Sequence, residues 1–445
     1  MGYRAVRAVA AVLLWLFYRR VGLSHAERIP RRGPLVIAAN HHNALVDAML
    51  IMTGVPRRIT PLAKAPLFRH PLIGPFLKLV GAVRVHRRID GADPQQNAAM
   101  FAAAVAALRA GGALLIFPEG VSQPRPTLMP LRTGAARIVL GAAAEGVSAA
   151  LVPVGLVFDE PGTFRAATAL LSVGPPVIAD DAVRDYAEAP EAAVRTLTER
   201  LTEAIRAQIV EAEDHHTLEL LGTLERAWRH ERGELGRVEP EVSLAWRRDV
   251  MRAAQALAAR APDRVAAFRR HLEHYAERLR ESGLGDSQLG QRYTARVVAR
   301  YALSNALNLA VMLPLALVGM VAHAVPYALT DLVARRLVTT AEEEATDKMA
   351  AGLVLYPLCW IAEGWLVQQW GGGRLLTAFA LLLVPSGFVA LAWRERLARV
   401  GRQARAFGRF LLDRRAAHGL LAERRALVEE AEALGALSRR PKTSA

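Results

Sequence analysis

The chain has 445 residues, 52% of them apolar, and its formal net charge is +15. This length predicts more than one structural unit, and the charge predicts an anionic partner: a nucleic acid, an anionic membrane surface or a phosphorylated substrate. Aromatic residues make up only 6% of the chain and no nucleic-acid recognition motif occurs, so a membrane and a phosphorylated substrate are favoured. The single cysteine, Cys359, excludes an intrachain disulfide and a cysteine-based zinc site.

The N-terminal segment, residues 1–29, contains a short apolar run from Ala8 to Tyr18 with arginines on both sides. The run is shorter than the roughly 20 residues that span a bilayer, and no small-residue cleavage site follows it. We predict a helix that lies in the membrane interface, with Trp15 and Tyr18 at the level of the headgroups. A helix buried within the protein is the alternative.

Residues 30–180 alternate short apolar runs with stretches of helical periodicity. This alternation predicts an α/β domain with a central mixed sheet. The predicted strands are Leu35–Ala38, Ile59–Leu62, Ala82–Val85, Ala113–Phe117, Leu151–Phe158 and Leu170–Val173, and the predicted helices are Val46–Thr53, Asn97–Arg109 and Thr133–Ala144.

The C-terminal part of the chain shows no strand pattern. Residues 181–300 repeat charged residues and leucines at helical spacing, which predicts a helical segment. Residues 301–394 contain apolar runs close to bilayer length, which predicts a transmembrane region. The tail, residues 395–445, is predicted to be helical and is rich in arginine, so the positive-inside rule places it in the cytoplasm. A composition rich in alanine, arginine and glycine suggests a bacterial source. We therefore expect an integral protein of the bacterial inner membrane with its catalytic domain at the cytoplasmic face.

The first motif directly follows a predicted strand: residues 40–47 read Asn-His-His-Asn-Ala-Leu-Val-Asp. An aspartate bonded to one imidazole nitrogen fixes the tautomer and leaves the other nitrogen free as a base. Because neutral histidine is available near pH 7, such a pair can remove a proton from a substrate hydroxyl. A purely structural histidine–aspartate pair is the alternative.

Two further motifs also lie at predicted strand ends. Residues 81–88 read Gly-Ala-Val-Arg-Val-His-Arg-Arg, and an arginine there presents a rigid fork of donors that suits a phosphate. Residues 117–122 read Phe-Pro-Glu-Gly-Val-Ser, which puts Glu119 at the carboxyl end of a strand, where α/β sites form. The alternatives are a solvated basic loop and a carboxylate that serves stability alone.

The order and spacing of these motifs resemble the phospholipid/glycerol acyltransferase superfamily, which includes glycerol-3-phosphate and lysophosphatidate acyltransferases. That family carries a histidine–aspartate block, an arginine-ending strand, a Phe-Pro-Glu-Gly block and an apolar Val-Pro-Val element, which is residues 152–154 here. The resemblance covers residues 30–180 and implies that this segment is an acyltransferase catalytic domain.

The histidine that matches the family's base is open to two assignments. The family usually places four residues between histidine and aspartate, which selects His42 with Asp47. A variant with five intervening residues selects His41, and we favour His41 because Asn40 precedes it and Asn43 follows two positions on.

The resemblance further implies transfer of a fatty acyl group from acyl-CoA or acyl carrier protein to a hydroxyl of glycerol-3-phosphate or 1-acylglycerol-3-phosphate in phospholipid synthesis. Arg87 would bind the acceptor phosphate, and Glu119 would contact hydroxyls or a basic neighbour. Gly120 would allow close backbone approach, and Lys64 is a further basic candidate. Neither a metal nor a cofactor is expected. The alternatives are another lyso-lipid acceptor, thioester hydrolysis, or a non-catalytic protein that binds anionic lipids.

Overall fold

A computed structural model describes most of the chain. The described residues are 2–70, 73–86, 94–123, 125–159, 168–234, 238–282, 289, 295–337, 344–412 and 414–438. They divide into two compact units. The first contains residues up to 215 together with 239–248 and 337–350, and the second contains 216–238, 249–336 and residues from 351 onwards.

Within the described residues, the first unit contains a seven-stranded sheet. Its strands are β1 (Arg20–Ser24), β2 (Leu35–Ala39), β3 (Thr60–Lys64), β4 (Val83–Val85), β5 (Ala113–Ile116), β6 (Ala150–Asp159) and β7 (Thr168–Val173). The spatial order is β1-β7-β6-β2-β5-β3-β4. All these neighbours run parallel except β6 and β7, which are antiparallel, so the predicted mixed sheet is confirmed.

Helices cover both faces of this sheet. They are α1 (Gly2–Phe17), α2 (Ala44–Gly54), α3 (Ile73–Val80), α4 (Pro94–Arg109), α5 (Gly134–Ala144), α6 (Asp180–Asp185) and α7 (Pro190–Arg206), with 3-10 helices at Ala26–Arg28 and Ala65–Arg69. Strand β2 shows the consequence: Leu35 and Ile37 pack with α1 and α2, whereas Val36 packs with α4, α5 and α7. A strand between two helical layers is apolar on both faces, which explains its unbroken apolar run.

The structure corrects the sequence-based interpretation of the N-terminal segment. Residues 20–24 form strand β1, which pairs with β7 and was not predicted because an edge strand with exposed residues lacks an apolar pattern. Helix α1 is buried on one face and exposed on the other, where Trp15 is 59% exposed. Tyr18, in contrast, is 3% exposed within the core, so its predicted place at the headgroup level is wrong.

The remaining helices account for the C-terminal part. They are α8 (His215–Glu231), α9 (Pro240–Ala258), which is shared between the two units, α10 (Pro262–Ser282), α11 (Ala295–Leu337), α12 (Glu344–Leu412) and α13 (Arg414–Ser438). In the second unit, α13 bonds to two of these helices. Arg424 Nε lies 2.7 Å from Glu231 Oε1, and His271 Nδ1 lies 2.8 Å from Glu430 Oε2. The described residues of the tail, up to Ser438, are helical.

Two segments among the described residues, Ala299–Val333 and Ala351–Arg405, are long and apolar enough to cross a membrane by length and composition. The second one reverses direction at Gly372, whose φ of 66° lies in the left-handed region. A Cβ on Gly364 would lie 3.4 Å from Leu376, so the chain on either side of the reversal packs together. Most side chains in both segments face outward, which is the pattern expected of helices in contact with lipid.

Close backbone packing in the first unit yields a stability prediction. A Cβ on Gly155 of β6 would lie 2.3 Å from the carbonyl oxygen of Gln208, whereas a Cβ on Gly141 of α5 would meet nothing within 4 Å. We expect Gly155→Ala to lower the free energy of unfolding by about 1–3 kcal/mol through overpacking. Gly141→Ala is the matched control and should raise it by about 0.5–1 kcal/mol. Thermal unfolding of the purified protein measures both, and equal midpoints would contradict this account of the packing.

Candidate active site

Asn40 anchors the loop after β2, because its side-chain amide exchanges two hydrogen bonds with the backbone of β6. Asn40 Nδ2 donates to the Leu156 carbonyl at 2.9 Å, and the Leu156 amide donates back to Asn40 Oδ1 at 2.6 Å. The side chain is fully buried, and these bonds give both its nitrogen and its oxygen a partner away from water. This pair of bonds fixes where the loop leaves the sheet.

The carboxylate of Asp47 gathers the loop around itself. His41 Nδ1 lies 2.8 Å from Asp47 Oδ2, and the same oxygen accepts the backbone N–H groups of His42 at 2.7 Å and Asn43 at 2.8 Å. Asp47 is fully buried in the first turn of α2, where a negative charge also interacts favourably with the helix dipole. Of the two candidate histidines, only His41 directs its imidazole to Asp47 within these contacts.

The geometry around His41 leaves one nitrogen available for chemistry. Because a carboxylate accepts hydrogen bonds, Nδ1 carries the proton and Nε2 is left with a lone pair. The imidazole also stacks on the ring of Phe117, with centroids 4.0 Å apart and planes 11° from parallel. The His41 side chain is 17% exposed, so the imidazole is fixed by Asp47 at one edge and by Phe117 on one face while it still reaches solvent.

His42 faces a different set of groups. Its Nδ1 lies 2.9 Å from the Gln123 carbonyl, and its ring meets Phe158 edge to face at 6.2 Å. A carbonyl only accepts hydrogen bonds, so Nδ1 of His42 is also a donor. His42 therefore forms part of the wall that links the 40–47 loop to the segment after β5.

Glu119 links the segment after β5 to the loop after β2. Its Oε1 accepts the His41 backbone N–H at 2.7 Å, and its Oε2 accepts the Met129 backbone N–H at 3.0 Å. Glu119 is 3% exposed, and burial raises the pKa of its carboxyl group, an effect that these two bonds oppose. Both oxygens thus bind the backbone, in line with the structural role that the sequence left open as an alternative. Contact with a substrate hydroxyl stays a prediction.

The other predicted residues lie along the same edge of the sheet or outside the described residues. Gly120 has a φ of 74°, which accounts for glycine at this turn. Lys64 is the last residue of β3 and pairs with Val85 of β4. Because β2, β5, β3 and β4 run parallel, their carboxyl ends share one edge, so Lys64 lies on the edge that carries His41. Arg87 lies outside the described residues.

The sequence did not indicate the contacts by which several residues support the site. Asn40 and Phe117 are inside the motifs, but their contacts with Leu156 and His41 depend on strand pairing. Tyr18, from the end of α1, packs near Phe158, and its burial together with the negative charge of Asp47 raises its pKa well above the ordinary value. The Tyr18 hydroxyl therefore remains protonated beside the loop. An aromatic residue that ends an apolar helix carries no signal of such a place.

Known proteins resemble one part of the chain. Residues 20–157 match the family model described as Acyltransferase. Glycerol-3-phosphate O-acyltransferase 2 of Saccharomyces cerevisiae is 32% identical over 125 residues, which is 27% of this chain and 17% of that protein. The 1-acyl-sn-glycerol-3-phosphate acyltransferase of Borreliella burgdorferi is 28% identical over 120 residues, 27% of this chain and 46% of that protein.

The matched region is a limited share of each relative, since the chain spans less than half the length of both. The crystal structure of the 1-acyl-sn-glycerophosphate (LPA) acyltransferase from Thermotoga maritima aligns with 46% of this chain and 78% of that chain, at 19% identity and a TM-score of 0.35. The family match lies where the three motifs were found, so residues 20–157 are similar to the acyltransferase family.

Proposed function

We propose that the protein transfers a fatty acyl group from a thioester, acyl-CoA or acyl-acyl carrier protein, to a hydroxyl of glycerol-3-phosphate or 1-acylglycerol-3-phosphate. The observation that carries this proposal is the 2.8 Å contact between His41 Nδ1 and Asp47 Oδ2 at the carboxyl edge of the sheet. It supports a base with a free Nε2 in a partly exposed position. The choice of acceptors rests on relatives named for acylation of these two molecules.

The proposed reaction uses His41 as general base and then as general acid. Nε2 takes the proton from the acceptor hydroxyl as its oxygen attacks the thioester carbonyl carbon. The carbon–sulfur bond breaks, the thiolate leaves, and the proton on Nε2 passes to the sulfur. The products are an oxygen ester and a free thiol, so atoms and charge balance. Because the exchange of a thioester for an oxygen ester is downhill, the reaction needs no nucleotide.

Asp47 supports both proton transfers. Its negative charge stabilises the imidazolium that forms while Nε2 holds the proton, and its bond to Nδ1 prevents the ring from turning. The backbone N–H groups of His42 and Asn43 donate to Oδ2 of this fully buried carboxylate and offset part of the cost of its burial. The carboxylate therefore stays in place throughout the reaction.

The apolar segments of the second unit suit an enzyme whose acyl chains reside in a bilayer. Ala299–Val333 and Ala351–Arg405 have the length and composition of membrane-crossing helices. Arginines follow the second apolar stretch at positions 394, 396, 399, 402 and 405. By the positive-inside rule this end is cytoplasmic. We place the protein in the bacterial inner membrane, with its catalytic domain at the cytoplasmic face.

Incubation of the purified protein with a panel of donors and acceptors tests the proposed function. Radiolabelled acyl-CoA and acyl-acyl carrier protein are each offered with glycerol-3-phosphate, 1-acylglycerol-3-phosphate and other lyso-lipids, and the lipids are then separated. We expect label in an ester of one of the two phosphorylated acceptors. Loss of thioester without acceptor indicates a hydrolase, and no turnover at all indicates a binding protein; either result contradicts the proposal.

Substitution of the adjacent histidines tests the assignment of the base. His41→Ala should lower kcat by about 10²–10⁴-fold, because the general base is lost. His42→Ala is the matched control and should lower it far less, since the imidazole of His42 faces the Gln123 carbonyl rather than Asp47. The measurement is the initial rate of acyl transfer at saturating substrates. Equal rates for the two variants would refute the assignment.

Glu119→Gln separates a positioning role from a substrate contact. A glutamine presents one oxygen where Glu119 presents two, so the His41 or the Met129 amide loses its acceptor. We expect kcat to fall by about tenfold or more while the acceptor KM changes little, since the cost of one unpaired amide is about 1–3 kcal/mol. Glu119→Asp, which keeps the charge, should also be impaired because it is too short to reach both amides. A rise in acceptor KM alone would show instead that Glu119 contacts the acceptor.

A further inference from the structure

Arg132 lies against the turn that supports the proposed base. A Cβ built on Gly120 would lie 2.6 Å from Arg132 Nε and 2.8 Å from Arg132 Cδ. Glycine at position 120 therefore suits the backbone φ of 74°, and its lack of a side chain also leaves room for the arginine. Arg132 itself is exposed, so its guanidinium faces solvent from a defined position. No sequence motif singled out this arginine.

The segment that carries Arg132 is fixed to the same turn as His41. The Arg132 amide donates to the Pro118 carbonyl at 2.8 Å, and the Met129 amide donates to Glu119 Oε2 at 3.0 Å. The other oxygen of Glu119 holds the His41 amide at 2.7 Å. One short turn thus anchors the backbone of both His41 and Arg132.

The order of the strands places Gly120, the residue that Arg132 contacts, next to the loop that carries His41. Along the carboxyl edge, His41 follows β2, Gly120 follows the neighbouring β5, and Lys64 ends β3 one strand further on. Adjacent strands are about 4.8 Å apart. In the two acceptors the reacting hydroxyl oxygen and the phosphorus are four or five bonds apart, which separates them by roughly 4–6 Å given bonds of about 1.5 Å. A cation one strand from the base therefore matches the acceptor better than a cation two strands away.

We propose that Arg132 binds the phosphate of the acceptor and thereby sets the reacting hydroxyl beside His41. This inference rests on the proposed function, and it adds a specificity residue to Lys64 and Arg87. The guanidinium is a planar fork that pairs two N–H groups with two phosphate oxygens. The phosphate of the donor's carrier offers the same chemistry, so the test must separate the two sources.

Isothermal titration of the full-length protein in detergent micelles tests the inference without turnover. sn-Glycerol 3-phosphate and 1-acylglycerol 3-phosphate are titrated, with glycerol as the ligand that lacks the phosphate. Arg132→Ala should raise the Kd for the phosphorylated ligands by about 10- to 100-fold, the usual effect of losing charge-assisted hydrogen bonds. Arg132→Lys should have a Kd between those of the wild type and Arg132→Ala, because lysine keeps the positive charge but lacks the planar pair of N–H donors. Arg137→Ala is the matched control and should bind like the wild type, since Arg137 Nε is hydrogen-bonded to Thr133 Oγ1.

Steady-state kinetics then distinguish acceptor from donor. We expect Arg132→Ala to raise the acceptor KM and leave the donor KM unchanged. An unchanged Kd, a wild type that binds neither phosphorylated ligand, or a rise confined to the donor KM would each overturn the inference. If the wild type acylates neither acceptor but Arg132→Ala still loses phosphate binding, the proposed function fails and the phosphate site stands.

Discussion

The site depends on one buried carboxylate that holds three N–H groups. Asp47 Oδ2 accepts bonds from the His41 imidazole and from the His42 and Asn43 amides. A fully buried carboxylate is stable only with such partners, so loop, helix start and imidazole orientation are determined together. The next residue, Ala44, has a φ of 39°, a costly conformation for a residue with a side chain. Its amide donates to Ser122 Oγ at 3.0 Å, which helps to hold the turn in this shape.

The remaining supports come from strands that are distant in sequence but adjacent in the sheet. Asn40 bonds to β6, Phe117 stacks on the imidazole from the end of β5, and Glu119 holds the loop backbone. Each contact joins segments about 80 residues or more apart. The parallel sheet is therefore a condition of the chemistry, because it brings the carboxyl ends of β2 and β5 side by side.

Much of this arrangement could be predicted from the sequence, because it depends on residue types and periodicity. The six predicted strands are confirmed with small shifts at their ends, as is the α/β class, since strands buried on both faces are strongly apolar. Strand β1 was missed because an edge strand mixes polar and apolar residues. Glu119 was predicted at its strand end, but its backbone partners were missed, as was the place of Arg132, because these depend on backbone amides and on the absent side chain of Gly120. Such contacts leave no pattern in residue types.

The rate of acyl transfer by Asp47→Asn tests the central claim most directly. An asparagine fills the same volume but no longer stabilises the imidazolium or fixes its tautomer. The account predicts that kcat falls by about 10²–10⁴-fold while the helical content of the protein is unchanged. A folded Asp47→Asn protein that transfers acyl groups at a rate close to that of the wild type would contradict it.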